Sequence, residues 1–322
     1  MRPADVTSNY ACMSCMKLMT NFSLVQKPCL HKWVYDSLWN LPFRSLRRML
    51  SYAITGASRG IGLGFVKSLA ANPSTTVFAL VRDVSSASSL HEFVDGHNYQ
   101  NVHILKADLN DVASIKAASE EVAKITKGTL DVLINNAALV YQERINMMLD
   151  EFPDEKSLEE DMIDFYKTNT LGTIHMINAF LPLLRAGGTK KCIIIGSALA
   201  STKLARNTGV IRFSGYAMSK SALNIAGVRY ATKYRSEGVI FLTITPGLVK
   251  TLQGKPDEVD KFFAKEEERI RQQFPQFEGS ITVEQSVHDQ LALISRVTID
   301  QSGAFVNRDG TDLENEGYIK EM

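Results

Sequence analysis

Cysteine is scarce in this chain, and its few cysteines are unevenly placed. Cys12, Cys15 and Cys29 precede residue 30, which leaves Cys192 alone in the rest of the 322 residues. A single cysteine cannot build a disulfide framework, so we expect a reducing compartment, the cytoplasm. The early cysteines, followed by His31, loosely resemble a zinc pattern. The interval from Cys29 to His31 is too short for common structural zinc motifs, so no metal site is expected.

The chain also lacks long hydrophobic runs and an excess of either charge. Its longest apolar runs, "CIIIG" and "VIFLTI", have the length of strands, whereas a membrane-spanning helix needs about 20 apolar residues. Lys and Arg number 36 and Asp and Glu number 35, so the net charge is +1. Such a balance creates no strong field for nucleic acid or an acidic membrane surface. We therefore expect neither as a partner.

Residues 1–49 differ from the rest of the chain. They show no clean periodicity, and they hold seven Arg or Lys residues, two Asp residues and both tryptophans, Trp33 and Trp39. We expect a disordered tail or an artefact of the assigned start, with Met49 as the alternative start. A mitochondrial transit peptide is the second interpretation, because such peptides are basic and poor in acidic residues. A zinc module is the third.

From residue 50 onward, apolar strands alternate with amphipathic helices. The predicted strands are residues 50–55, 75–82, 101–108, 130–138, 190–198, 239–247 and 303–310, and the predicted helices are residues 62–72, 87–96, 112–128, 157–188, 215–238 and 282–297. Strands that are apolar throughout indicate a parallel sheet covered on both faces. The pattern predicts a single doubly wound α/β domain over residues 50–322, with a seven-stranded parallel sheet.

One irregular insert, residues 251–281, follows the sixth predicted strand. Its apolar residues Val259, Phe262, Phe263, Ile270 and Phe274 are spaced to share one face of a helix. A solvated helix with salt-bridged charges is one interpretation. A substrate lid is the other, because ligands of such sheets bind at the carboxyl ends of the strands.

The first strand runs into a glycine-rich turn, "TGASRGIG", at residues 55–62. Gly56, Gly60 and Gly62 let backbone N–H groups approach a pyrophosphate at the start of the next helix. The position between a buried strand and a helix makes the motif a specific signal of dinucleotide binding. Arg59 in the turn and Arg82 after the second strand suit a 2′-phosphate, so NADPH is expected over NADH. Asp83, next to Arg82, leaves open that both are ordinary surface charges.

The stretch "YAMSK" places Tyr216 and Lys220 four residues apart, on one face of a helix. A free tyrosine has a pKa of about 10. A nearby ammonium favours the phenolate and lowers that value. The pair is therefore a candidate for general acid–base chemistry.

Together these motifs resemble the single-domain class of the short-chain dehydrogenase/reductase family, from residue 51 to about 310. The chain is similar in detail to fungal carbonyl and ketone reductases of that class. Further matching motifs are "AD" at 107–108, "NNAA" at 135–138, "TNTLG" at 168–172, "IIIGSA" at 193–198 and "PGLVKT" at 246–251. Ala138 stands where the family usually has glycine. The resemblance implies a Rossmann domain that binds NADP(H).

The resemblance also implies the site residues. The catalytic set is Asn169, Ser197, Tyr216 and Lys220. The cofactor contacts are Gly56, Ser58, Arg59, Gly60, Ile61, Gly62, Arg82, Asp108, Leu109, Asn136, Ala137, Tyr216, Lys220, Pro246, Gly247, Val249 and Thr251.

The roles follow the family pattern. Tyr216 would donate a proton, Lys220 would bind the nicotinamide ribose, and Asn169 would order a water that links Lys220 to solvent. Ser197 would hold the carbonyl oxygen. It lies 19 residues before Tyr216, longer than is usual, so we expect an extended loop over residues 201–214. Ser201 is its rival, and Ser219 is expected to be a bystander.

The implied function is NADPH-dependent reduction of a ketone or aldehyde in secondary metabolism. Phe213, Phe262 and Phe263 suit an aromatic or polyketide-like substrate. The alternative is a non-catalytic NADP-binding regulator on the same fold. The family commonly forms homodimers or homotetramers through the helices that carry Asn169 and Tyr216.

Overall fold

The computed structural model describes residues 49–140, 143–208, 211–251, 256–273, 275 and 277–314. The predictions for residues 1–49, apart from Met49 itself, lie outside these ranges, as does Phe274. The expectations for Cys12, Cys15 and Cys29 therefore stay predictions.

The described chain is a seven-stranded sheet with helices on both faces. The strands are β1 (Leu50–Thr55), β2 (Thr75–Val81), β3 (Val102–Lys106), β4 (Val132–Asn135), β5 (Lys191–Ile195), β6 (Ile240–Thr245) and β7 (Phe305–Asn307). The helices are α1 (Gly60–Ala70), α2 (Ser88–His97), α3 (Val112–Thr126), α4 (Glu155–Phe165), α5 (Thr173–Ala186), α6 (Thr202–Thr208), α7 (Ser214–Tyr234), α8 (Pro256–Gln273) and α9 (Val283–Arg296).

The strand order is β3-β2-β1-β4-β5-β6-β7, and every neighbouring pair is parallel. Tyr52 of β1 lies opposite Val77 of β2 on one side and Val132 of β4 on the other. The connection reverses direction at β1, so a crevice opens beyond the carboxyl ends of β1 and β4. The predicted fold class is confirmed.

The strands are apolar because both faces of the sheet are covered. In β1, Ala53 and Ile54 point to opposite faces and are both fully buried. The core on the Ile54 side includes residues of α1, α2 and α9. The core on the Ala53 side includes residues of α3, α5 and α7. A strand buried on both faces reads as a continuous hydrophobic run, which is why the sequence shows no polar alternation.

Two predicted elements differ from the structure. The predicted helix 157–188 is interrupted by a π-helical turn, Tyr166–Gly172, between α4 and α5. A π turn adds one residue to a turn and is typical of functional sites. Part of the predicted loop 201–214 is helical, because α6 begins at Thr202. The insert 251–281 contains α8, and Phe263 of its predicted apolar face is buried.

No helix within the described ranges is long and apolar enough to cross a membrane. In the same part of the chain, no group of three or more His, Cys, Asp or Glu side chains is placed to hold a metal ion.

Candidate active site

The glycine-rich turn after β1 closes tightly. Gly56 and Gly60 have φ angles of 66° and 56°, in the left-handed region that favours glycine. A Cβ at Gly62 would lie 2.1 Å from the carbonyl oxygen of Gly56. Only glycine therefore fits at position 62 without moving the backbone.

Residues at the end of β4 hold this turn in place. Asn136 Nδ2 donates to the carbonyl oxygens of Thr55, at 2.9 Å, and Gly56, at 3.3 Å. In return, Thr55 Oγ1 accepts from the backbone N–H groups of Asn136 and Ala137, both at 2.9 Å. The sequence predicted Asn136 and Ala137 but missed Thr55, whose one signal is its place at the end of a buried strand.

The loop after β6 lies against the same turn. A Cβ at Gly60 would lie 3.5 Å from Thr251 Cγ2. Gly247 has a φ of 87°, and Ser286 of α9 donates its hydroxyl to the carbonyl oxygen of Pro246 at 2.8 Å. The structure therefore brings Thr251 to the glycine turn and holds Pro246 against α9.

Two further predicted contacts follow β3. Asp108 is half-buried, and its carboxylate accepts from the N–H of Asn110 at 2.9 Å. Leu109 is buried against the π turn, since a Cβ at Gly172 would lie 2.6 Å from the Leu109 carbonyl oxygen. The end of β3 and the π turn are therefore in direct contact.

Charged side chains surround the end of β2 and the glycine turn. Arg59, Arg82 and Asp83 are exposed. Asp83 accepts from the hydroxyl of Ser85 at 2.7 Å and from its N–H at 3.0 Å, and these hydrogen bonds lower the pKa of Asp83. Neither Arg59 nor Arg82 has an ion pair with any residue that the structure describes. The arginines are thus available to an anion, while one carboxylate oxygen of Asp83, Oδ1, is engaged within its own turn.

Lys220 is buried at the end of β5. Its Nζ donates to the carbonyl oxygen of Ile195 at 2.7 Å and lies 5.9 Å from the centre of the Tyr216 ring. Burial disfavours the charged form and lowers the pKa of Lys220 to about 8. An ammonium has three donor hydrogens, so two remain beyond the bond to Ile195.

The two candidate serines differ in their surroundings. Ser197 follows β5 and is half-buried, and its hydroxyl accepts from the N–H of Leu199 at 3.3 Å. Ser201 is buried, and its hydroxyl accepts from the N–H of Leu204 at the start of α6. Both hydroxyls cap a following helical turn, and Ser197 is the more accessible of the two.

Asn169 is buried in the π turn and fully hydrogen-bonded. Its Oδ1 accepts from the N–H of Leu139 at 2.7 Å, and its Nδ2 donates to the carbonyl oxygen of Leu139 at 2.9 Å and to Ser219 Oγ at 3.0 Å. Ser219 Oγ in turn donates to the carbonyl oxygen of Tyr216 at 2.7 Å. Ser219 therefore joins Asn169 to the backbone of Tyr216, a structural contact that the sequence did not predict, and its having no part in the chemistry stays a prediction.

Comparison with known proteins identifies the family. A family sequence model described as "short chain dehydrogenase" matches residues 52–260. This chain is a short-chain dehydrogenase/reductase. The dehydrogenase/reductase AacuF of Aspergillus aculeatus is 40% identical over 266 residues, which cover 81% of this chain and 98% of that protein. The short chain dehydrogenase virK of Hypocrea virens is 34% identical, with 81% and 98% covered.

Solved structures resemble this dehydrogenase/reductase as well. An NADPH-bound carbonyl reductase from chicken fatty liver is 30% identical, with a TM-score of 0.66 over 83% of this chain and 100% of that one. The carbonyl reductase Sniffer of D. melanogaster is 27% identical, with a TM-score of 0.67 and the same coverage.

A cavity of about 200 Å³ lies beside the predicted catalytic residues, between α6 and the first turn of α7. Its lining is mostly apolar and consists of Leu149, Leu199, Leu204, Ala205, Ile211, Arg212, Ser214, Ala217 and Met218. Ser197 and Tyr216 do not line it, so it is adjacent to the site and separate from it.

Proposed function

We propose that this dehydrogenase/reductase reduces a ketone or aldehyde to an alcohol with NADPH, with Tyr216 as the proton donor. The observation that carries the proposal is the buried Lys220 ammonium, held by Ile195 and placed 5.9 Å from the Tyr216 ring. A buried charge is costly, and here it lies beside a group that must change its own charge during the reaction.

The chain's own geometry supports a nicotinamide dinucleotide at this site. A Cβ at Gly56 would lie 2.9 Å from Ala137 Cα and one at Gly62 would lie 2.1 Å from the Gly56 carbonyl oxygen, so the turn is built for bare backbone, which suits close approach of a pyrophosphate. The two remaining donor hydrogens of Lys220 suit the hydroxyls of a ribose. When bound, the nicotinamide supplies the hydride for the carbonyl carbon.

Three observations support NADPH over NADH. Arg59 and Arg82 are exposed and have no ion-pair partner among the described residues. The carboxylate of Asp83 accepts hydrogen bonds from Ser85, so it is less available to a ribose hydroxyl. The related chicken carbonyl reductase is NADPH-bound.

Each residue then has a step that its position allows. Tyr216 gives its hydroxyl proton to the carbonyl oxygen as that oxygen gains negative charge. Lys220 stabilises the resulting phenolate by its positive charge. Ser197 donates a hydrogen bond to the same carbonyl oxygen. The side chain of Asn169 bonds Leu139 and Ser219, so it holds the π turn against α7, and its ordering of a water stays a prediction.

We further propose that α8 covers the substrate. Phe263 of α8 is buried, with its ring edge-on to that of Phe262. Nζ of Lys250, in the loop after β6, lies 6.0 Å from the centre of the Phe263 ring. Lys250 also pairs with Asp260 of α8 at 3.6 Å. These contacts attach α8 to the loop after β6. The pair of phenylalanine rings suits a substrate with an apolar, aromatic body.

The test is a screen of the purified protein against ketones, aldehydes and quinones, with NADPH or NADH oxidation followed by absorbance. We expect faster turnover with NADPH. Tyr216→Phe should lower kcat by about 100-fold or more while NADPH still binds. Near-full turnover by Tyr216→Phe would remove Tyr216 from the proposed role, and NADPH binding without turnover of any carbonyl would favour the regulatory alternative.

A further inference from the structure

A partly buried ion pair lies outside the predicted catalytic set. Arg144 Nη2 contacts Asp161 Oδ1 at 2.6 Å, and the side chains are 26% and 3% exposed. Arg144 belongs to the loop after β4, and Asp161 belongs to α4. Arg144 Nε is also buried, with no hydrogen-bond partner in the described chain. Burying the Asp161 carboxylate is seldom favourable for stability alone, so the pair calls for another explanation.

The residue after Arg144 connects the loop to α7. The carbonyl oxygen of Ile145 accepts from the N–H of Phe213 at 3.1 Å. Phe213 has φ 61° and ψ 33°, a left-handed conformation that disfavours a side chain with a Cβ. Such a conformation persists where neighbouring structure holds it. The Ile145 carbonyl is the neighbour that binds Phe213 here.

Phe213 in turn determines where α7 begins. Its carbonyl oxygen accepts from the N–H of Ala217 at 2.8 Å, in the first turn of α7. Tyr216 lies within this turn. A displacement of Phe213 therefore displaces the Tyr216 hydroxyl relative to the carbonyl oxygen it must protonate.

Helix α4 also contacts this turn directly. The ring of Phe165 meets the ring of Tyr216 edge-on, with centroids 6.4 Å apart. A Cβ at Gly215 would lie 2.8 Å from Phe165 and 2.9 Å from Met162. Asp161 and Phe165 are four residues apart on α4, so they lie on the same face. Helix α4 thus supports Tyr216 through Phe165 and binds the adjoining loop through Asp161.

We propose that the Arg144–Asp161 ion pair is a positioning device for Tyr216. It holds the loop after β4 against α4, so that the Ile145 carbonyl keeps Phe213 in its left-handed conformation and α7 in its place. The proposal rests on the proposed function, because positioning of Tyr216 matters only if Tyr216 transfers the proton.

The test compares Arg144→Met, Asp161→Asn and Arg144→Lys in the full chain, with the best ketone or quinone of the screen. At saturating NADPH, Arg144→Met and Asp161→Asn should lower kcat by about 10- to 100-fold, the loss typical of a misplaced catalytic group. Arg144→Lys keeps the charge and should lose less. The dissociation constant of NADPH, measured by fluorescence, should stay within about two-fold, since no cofactor residue is touched.

Arg185→Met is the matched control. Arg185 pairs with Glu237 at 2.5 Å, joining the end of α5 to the chain after α7. Its loss removes an arginine–carboxylate ion pair from another part of the chain, without contact to the loop after β4. Thermal unfolding of each variant shows that it is folded, and kcat of Arg185→Met should equal that of the unchanged protein.

Several outcomes overturn the proposal. A folded Arg144→Met or Asp161→Asn protein with full kcat does so, and so does a kcat loss matched by an equal weakening of NADPH binding. If Arg144→Met does not fold, the near-isosteric Asp161→Asn decides. Tyr216→Phe is measured alongside: if it is inactive while Arg144→Met is fully active, positioning fails and the proposed function stands. If Tyr216→Phe is active, both fail.

Discussion

At the scale of single residues, the proposed chemistry depends on one buried lysine, Lys220. The Nζ of Lys220 donates a hydrogen bond to the carbonyl oxygen of Ile195. The side chain is buried, and burial lowers its pKa to about 8. Near neutral pH the side chain therefore still carries its charge, but it loses that charge at a lower pH than an exposed lysine does.

This pKa predicts an alkaline limit to carbonyl reduction. Above a pH of about 8, Lys220 becomes neutral and no longer stabilises the phenolate of Tyr216. The kcat/KM for NADPH, which reports ionisations of the free enzyme, should fall through that pH. The measurement is a pH profile of initial rates, with Lys220→Met as the control.

The same pKa has a consequence for stability with the opposite sign. Between pH about 8 and the ordinary value of 10.5, the unfolded chain binds a proton on Lys220 that the native state has lost. The contribution of Lys220 to the free energy of unfolding therefore rises with pH in this window. If Lys220→Met shows the same dependence of kcat/KM and of the free energy of unfolding on pH above about 8, both effects belong to another group.

At the scale of elements, the π turn between α4 and α5 assembles the site. It places Asn169 against Leu139 and Ser219, and Gly172 against Leu109. Thr170 adds a bond from its hydroxyl to the carbonyl oxygen of Ser219, at 2.9 Å. A regular α-helix lacks the extra residue that the π turn contains. Without the π turn, these side chains would therefore face different neighbours.

Gly172→Ala tests this packing. A Cβ there would lie 2.6 Å from the Leu109 carbonyl oxygen, so the turn must shift, at a cost of about 1–3 kcal/mol in the free energy of unfolding. Because Asp108 and Leu109 are predicted cofactor contacts, NADPH should also bind more weakly. Denaturant unfolding and a fluorescence titration measure the two effects.

The control is Gly96→Ala in α2, where a Cβ would meet nothing within 4 Å. Alanine is the better helix former, so this variant should gain about 0.5–1 kcal/mol and bind NADPH unchanged. A Gly172→Ala protein as stable as Gly96→Ala would show that the close approach to Leu109 relaxes without cost.

At the scale of the whole molecule, large apolar side chains remain exposed on α4, the π turn and α7. They are Ile163, Tyr166, Leu171, Met218 and Ile225, between 38% and 60% exposed. Exposed apolar residues on adjoining helices are typical of protein–protein interfaces. We therefore expect a homodimer or homotetramer formed through these helices.

Ile225→Glu should disrupt that assembly, because it adds a charge to an apolar contact. The measurement is molar mass by light scattering after gel filtration, over a range of protein concentrations. Val112→Glu is the control, since Val112 is also exposed, at 38%, but begins α3. If the protein without substitutions has the molar mass of a monomer at all concentrations, the prediction is contradicted.

The sequence by itself determined the strands, most helices and the motif residues. Apolar runs, helical periodicity and the turn at Gly56–Gly62 depend on neighbours a few residues apart, so they can be read along the chain. The parallel, doubly wound sheet followed from the same alternation, because apolar strands that alternate with helices need cover on both faces, whereas the strand order came from the structure.

Only the tertiary structure decided how distant segments support the site. Asn169 and Ser219 are 50 residues apart, and Thr55 and Asn136 are 81 apart. Arg144 meets Asp161 because α4 packs on the start of α7. Such contacts depend on how helices pack on the sheet, and nothing in the local sequence shows which distant residues will meet. This is why Ser219 looked like a bystander along the chain and proved to bond both Asn169 and Tyr216 in the fold.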